Sequence, residues 1–259
     1  MFFDSLSHPT LNGQWVSNKP GETFAQVSEA YKIAGAIGGC AVGLSGIGGY
    51  DHKAYFRECS VFDNLLPVAS LTKKECITEE IEQIAEIGYR ALKIHPRLMS
   101  IHPTHGVLSE AFAAAGRMNM TVFLCTYVYD KPERMISSDP YWHLVKAVGE
   151  NPETRIVLLH GGAVRLLEYA ELCRFTDKVL LDLSFTFQKY ASSSVAQDIR
   201  YLLQSFDRKI CFGVDSPEYC LPGSLSTLER VTEGLSAEKK QNVMFGNLMS
   251  LLDLKIPSI

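Results

Sequence analysis

The stretch "TRIVLLHGGAVRLLEYAELCRFTDKVLLDLSF", Thr154–Phe185, reads as strand, helix, strand. Its outer parts, "TRIVLLHG" and "KVLLDLSF", are apolar runs of strand length, and residues 163–174 between them form an amphipathic segment. Two strands joined through a helix run parallel, so this stretch is one βαβ unit. The same alternation extends both ways. Six further apolar runs, "MFFD", "CAVGLSG", "LLPVASL", "YRALKIHP", "MTVFLCTY" and "KICFGVDS", make eight candidate strands. Helices are expected over 22–36, 52–59, 77–88, 105–118, 139–150, 163–174, 192–205 and 224–234, with a closing helix near 244–253. In "TEEIEQIAEIG" Thr78 is placed to cap its helix and Gly88 to end it.

Eight βα units in 259 residues, without a composition break that reads as a linker, predict a single-domain (β/α)8 TIM barrel over residues 1–259, of the α/β class. A doubly wound open sheet is the alternative. No G-x-G-x-x-G or G-x-x-x-x-G-K motif stands at a strand end, and the glycines of "AGAIGGCAVGLSGIGG" read as turn and packing residues.

Hydrophobic residues make up 46% and charged ones 21%, with a formal net charge of −4. That balance argues against disorder and against a nucleic-acid-binding face, and leaves a small-molecule substrate as the expected partner. There is no signal peptide pattern and no apolar run near the roughly 20 residues a membrane span needs, so a cytoplasmic protein is expected. The seven cysteines are odd in number, scattered and free of C-x-x-C, which reads as small core residues rather than a disulfide framework or zinc knuckle. A homo-oligomer fits the fold, though no stretch identifies an interface.

Barrel active sites are built at the carboxyl ends of the strands, so polar residues that end apolar runs are the candidates. His8, His95, His160 and Asp215 end strands one, four, six and eight. One imidazole at a strand end is ordinarily a solvated or capped residue, but four groups on one mouth converge. Imidazoles with a carboxylate suit a divalent metal, zinc or manganese, whose bound water becomes a nucleophile near neutral pH.

At these residues the chain resembles the amidohydrolase-related metal-dependent hydrolases of the amidohydrolase superfamily. "NPETRIVLLHGGA" is similar to that family's strand-six segment, "KVLLDLS" to strand seven, "KICFGVDSPEY" to the strand-eight "FGSDxP", "ALKIHP" to strand four and "VMFGNLMSLL" to the final helix. The resemblance implies a hydrolase acting on a C–O or C–N bond, a lactone or amide, with Asp215 as general base and His160 polarising the substrate carbonyl. It implies His8, Asp215, His160 and Cys125 as the metal-ligand positions. Two departures weaken the metal. Where the family has a His-x-His pair, "DSLSH" carries Leu6 and His8, and where strand five has a histidine, "VFLCTY" carries Cys125, which is either a substitute ligand or a buried core thiol. The alternatives are a metal-free lactonase, a decarboxylase or hydratase on the same barrel, and an inactive small-molecule-binding homologue.

His95 and Arg97 are expected to hold a substrate carboxylate, since a guanidinium offers a matching fork of donors. His52, beside Asp51 in "GGYDHK", and His102 and His105 in "SIHPTH" are further candidates for substrate contact. Gly161 and Gly162 either let substrate approach the backbone or simply form a turn. Asp215 has a second reading as the amino-end cap of the helix that follows it. Lys93 shares the inward face of His95. A carboxylated Lys93 bridging two metals is disfavoured, because that arrangement also needs the histidine that Leu6 displaces.

Overall fold

The computed structural model describes residues 1–73, 75–99, 103–130 and 139–256. Its eight strands are β1 (Phe3–Ser7), β2 (Gly38–Val42), β3 (Leu65–Ser70), β4 (Ala91–Ile94), β5 (Thr121–Cys125), β6 (Ile156–Leu159), β7 (Val179–Asp182) and β8 (Ile210–Cys211). They are all parallel and lie in sequence order in one sheet. The seam closes through backbone bonds from Ser5 N to Phe212 O (3.0 Å), His8 N to Ser216 O (2.9 Å) and Asp215 N to Leu6 O (2.7 Å). A (β/α)8 barrel is the result.

The helices of the outer ring begin with α1 (Phe24–Ile33), α2 (His52–Cys59), α3 (Ile77–Ile87), the short α4 (Pro96–Met99), α5 (His105–Arg117) and α6 (Pro140–Glu150). They continue with α7 (Leu166–Arg174), the short α8 (Thr186–Lys189), α9 (Val195–Ser205), α10 (Leu221–Val231), α11 (Ala237–Gln241) and α12 (Asn247–Leu251). Strand alternation sorts the apolar residues into two layers. Val122, Leu124, Leu158 and Leu181 face outward and pack under the helices. Phe3, Leu6, Val42, Val68, Phe123, Val157 and Leu180 fill the lumen, where Phe245, Leu248 and Met249 from the closing helical segment join them.

Several boundaries differ from the sequence expectation, and three of the differences have a clear physical reason. β1 runs on to Ser7 because its polar residues are buried and bonded: Asp4 accepts from Leu6 N (2.9 Å), Val214 N (2.8 Å) and Tyr31 Oη (2.7 Å), and Ser7 Oγ donates to Cys40 O (2.9 Å). A register irregularity between Asp4 and Ser7 sets Leu6 into the lumen. α10 starts earlier than expected, with Pro222 in its first turn, where a missing N–H costs nothing. Thr78 is not the cap of α3. That position is Cys76, and Thr78 Oγ1 instead donates to Glu110 (3.2 Å), while Gly88 ends the helix at φ 118° as expected. All seven cysteines are free thiols, and five of them are buried. No helix among the described residues is long and apolar enough to cross a membrane.

Candidate active site

At the carboxyl ends of the strands lies a cavity of about 350 Å³, lined among others by His8, Lys93, His95, Arg97, His160 and Asp215. The strand ends expected to converge do so. Because the strands follow in order round a closed barrel, Asp215 after β8 faces the β4 wall that carries Lys93, His95 and Arg97. The helix-cap reading of Asp215 does not hold: α10 is capped at Cys220, and the Asp215 carboxylate turns to His8. His52 is a correction. It is not among the residues lining the cavity, because its ring is held between Tyr50 Oη (2.8 Å) and the buried Glu80 carboxylate (3.1 Å). Asp51 is the cap of α2, accepting from Ala54 N (2.8 Å). His105 pairs with Glu150 on the surface, and His102 lies outside the described residues.

His8 is fixed in one tautomer. A carbonyl can only accept, so the 2.7 Å contact between Nδ1 and Val42 O puts the proton on Nδ1 and leaves Nε2 as an acceptor. That lone pair meets Lys93 Nζ at 3.2 Å and lies 3.4 Å from Asp215 Oδ1. Burial, helped by Lys93, lowers the His8 pKa to about 4, so the ring is neutral at pH 7. Burial pushes Asp215 up, but His8 in its protonated form, with His160 and Lys93, outweighs it and holds the carboxyl well below the usual carboxylate range. Asp215 is therefore an ionised base facing a buried amine.

A second group surrounds Cys125. Burial raises its pKa, but hydrogen bonds and charge from His95 and His160 win, and the thiol sits well below its ordinary range. His160 moves the opposite way: burial lowers it, Cys125 and Asp215 raise it further, and the net direction is up. Its Nδ1 is engaged by Ser184 O and Ser184 Oγ, both at 3.2 Å. Ser184 Oγ and Ser5 Oγ donate to Asp182, which also accepts the His160 backbone N–H at 3.1 Å. Thus Asp182 orients His160 from beneath, through Ser184. The glycines after His160 read as a packed turn. A Cβ on Gly162 would meet Tyr169 at 2.2 Å, and one on Gly161 would meet Leu166 at 2.8 Å.

A divalent ion does not fit this donor set. Leu6 is wholly buried among apolar lumen residues, and the His8 lone pair is occupied by Lys93. Cys125 is engaged with two imidazoles, and no group of three His, Cys, Asp or Glu among the described residues is gathered closely enough to hold an ion. Among the described residues, His8, Asp215, His160 and Cys125 are thus not gathered as a ligand set.

Sequence reasoning missed the aromatic walls. Trp15 stacks on His8 with centroids 5.5 Å apart, Arg97 lies 4.9 Å over the Tyr127 ring, and Phe185 packs edge-on against Tyr127 (4.9 Å) and His160 (5.5 Å). Trp15 comes from the irregular loop after β1, whereas Tyr127 and Phe185 close the apolar runs "MTVFLCTY" and "KVLLDLSF" and read there as ordinary strand residues. Asp182 and Ser184 were visible only as the polar breaks in "LLDLS".

Solved structures show the same architecture. An uncharacterised TIM-barrel protein from Bordetella bronchiseptica superposes with a TM-score of 0.78 at 16% identity, covering 97% of this chain and 98% of its own. A Pseudomonas putida protein described provisionally as a 2-pyrone-4,6-dicarboxylic acid hydrolase gives 0.72 at 17% identity, covering 99% and 98%. A 5-carboxyvanillate decarboxylase from Novosphingobium aromaticivorans, solved with manganese, gives 0.60 at 12% identity, covering 87% and 79%. No curated protein matches the chain. At such identities these likenesses speak for the barrel alone, but residues 21–253 match the amidohydrolase family model, a span that takes in β2 to β8 and every wall of the cavity but the β1 side. On that match, and with an acidic strand-eight end set over this mouth, the chain belongs to the amidohydrolase family of hydrolases.

Proposed function

We propose that the enzyme hydrolyses a C–O or C–N bond, of the lactone or amide kind, in a small carboxylated substrate, with Asp215 as general base. The observation that carries this reading is the opposition across one cavity of an ionised Asp215 and the Arg97 guanidinium on the β4 wall. On that wall the Arg97 Nε is buried without a partner, while Nη1 reaches Tyr129 O at 3.4 Å. A guanidinium with an unmatched edge is a ready partner for a carboxylate. A substrate anchored there by its carboxylate presents its far end to Asp215. The carboxylate takes a proton from the attacking water and returns it to the leaving atom. His160 lines the same cavity with Nδ1 anchored at Ser184 and its other nitrogen on Cys125, so polarising the reacting carbonyl requires it to exchange Cys125 for the substrate.

The test is Asp215→Asn assayed against carboxylated lactones and amides. Asparagine tolerates the backbone at this position, φ 67°, so the fold is kept. A loss of about 10²–10⁴ in kcat at an unchanged melting temperature is expected. Retained activity refutes Asp215 as the base. Binding without turnover in the wild type identifies a binding protein instead.

A further inference from the structure

A buried lysine pointing at a would-be metal ligand asks for an explanation. Lys93 is 1% exposed, and its side chain crosses the lumen from β4 to reach His8 Nε2 at 3.2 Å. Among the described residues it forms no ion pair. A leucine or methionine would fill this layer without desolvating an amine, which ordinarily costs several kcal/mol. The neighbouring positions point the same way. Leu6 cannot bind an ion, and His8 offers its lone pair to nitrogen rather than to metal.

We propose that Lys93 Nζ is the oxyanion donor of the site, standing where an ion held by His8 would otherwise stand, and is thus a catalytic residue of the hydrolysis proposed above, on which this role rests. His8 uses one of its N–H bonds, and those left over open onto the cavity that Lys93 lines. Water oxygen bonds to the substrate carbonyl carbon as Asp215 accepts the water's proton. The carbonyl π pair moves onto oxygen, where the Lys93 N–H groups receive it. The pair then returns, the C–O or C–N bond breaks, and the proton on Asp215 passes to the leaving atom, which leaves Asp215 and Lys93 as they began. Burial favours the amine, whereas Cys125 and Asp215 favour the ammonium; both forms donate, so the assignment does not depend on their balance.

The test needs no turnover, so its failure is separable from failure of the hydrolase reading. Phenylphosphonate, whose tetrahedral oxyanion resembles the adduct, is titrated calorimetrically into the wild type, Lys93→Met and Lys93→Gln, each also in the Asp215→Asn background to remove charge repulsion. Zinc is titrated into the wild type and His8→Ala. The expected result is phosphonate binding weakened at least tenfold by Lys93→Met and less by Lys93→Gln, which keeps a donor, with zinc affinity the same in the wild type and His8→Ala. Lys93→Gln keeps the comparison open if Lys93→Met does not fold. Phosphonate binding absent from both parent backgrounds, or undiminished without Lys93, overturns the proposal, and so does one equivalent of zinc that His8→Ala abolishes.

Discussion

His8 is buried as a neutral ring, and that has a measurable consequence. A histidine whose pKa falls from 6.5 to about 4 on folding binds its proton better when unfolded, so stability is lost as pH falls from 6.5 toward 4. Between pH 7 and 5 this amounts to about 2 kcal/mol. Urea unfolding of the wild type and His8→Gln at both pH values is expected to show that excess loss in the wild type alone, since other titrating groups are common to the two proteins. At this scale the sequence showed much of the site. His8, His95, His160 and Asp215 were legible because each ends an apolar run in a fold that places strand ends together. Lys93 was seen on the face of His95 but not as the partner of His8, because a lysine is ordinarily a solvated residue and only the three-dimensional register brings its amine there.

Among the elements, the turn from β6 into α7 is the most constrained. Four consecutive residues, His160 to Ala163, have positive φ, and His160, Phe185 and Asp215 hold the same region at three different strand ends of the mouth. Left-handed backbone costs a non-glycine residue about 1–2 kcal/mol, so three such residues round one cavity mark where the chain gives up local ease to aim side chains inward. Gly162→Ala combines this backbone cost with a Cβ 2.2 Å from the Tyr169 ring, and a loss of about 3 kcal/mol in chemical denaturation is expected. Displacement of His160 is expected with it, read as a shift of its imidazole NMR signals. The longer helices were legible from amphipathic periodicity, whereas the short α4, α8 and α11 were not. The exact ends were less legible, because caps such as Cys76 on α3 carry no sequence signature and the buried polar run of β1 looks like a loop until its partners are known.

For the whole molecule, the two apolar layers make the barrel one cooperative body. The lumen is sealed at the end away from the site by Phe245, Leu248 and Met249, which pack with residues of the strands. Leu248→Ala is expected to lower global stability by about 2–5 kcal/mol in a single thermal transition. A separate early transition for residues 242–251 shows instead that the seal folds independently. The barrel itself was legible from eight repeats of one pattern; what no repeat could reveal was that Trp15, Tyr127 and Phe185 line its mouth. That lining gives the protein a property of its own. Only two tryptophans are present: Trp142 is 67% exposed, whereas Trp15 lies half-buried on the His8 ring at the cavity edge. The molecule thus carries an optical gauge, since emission that iodide fails to quench comes from the indole beside His8, and its colour and lifetime register whatever enters there without any label.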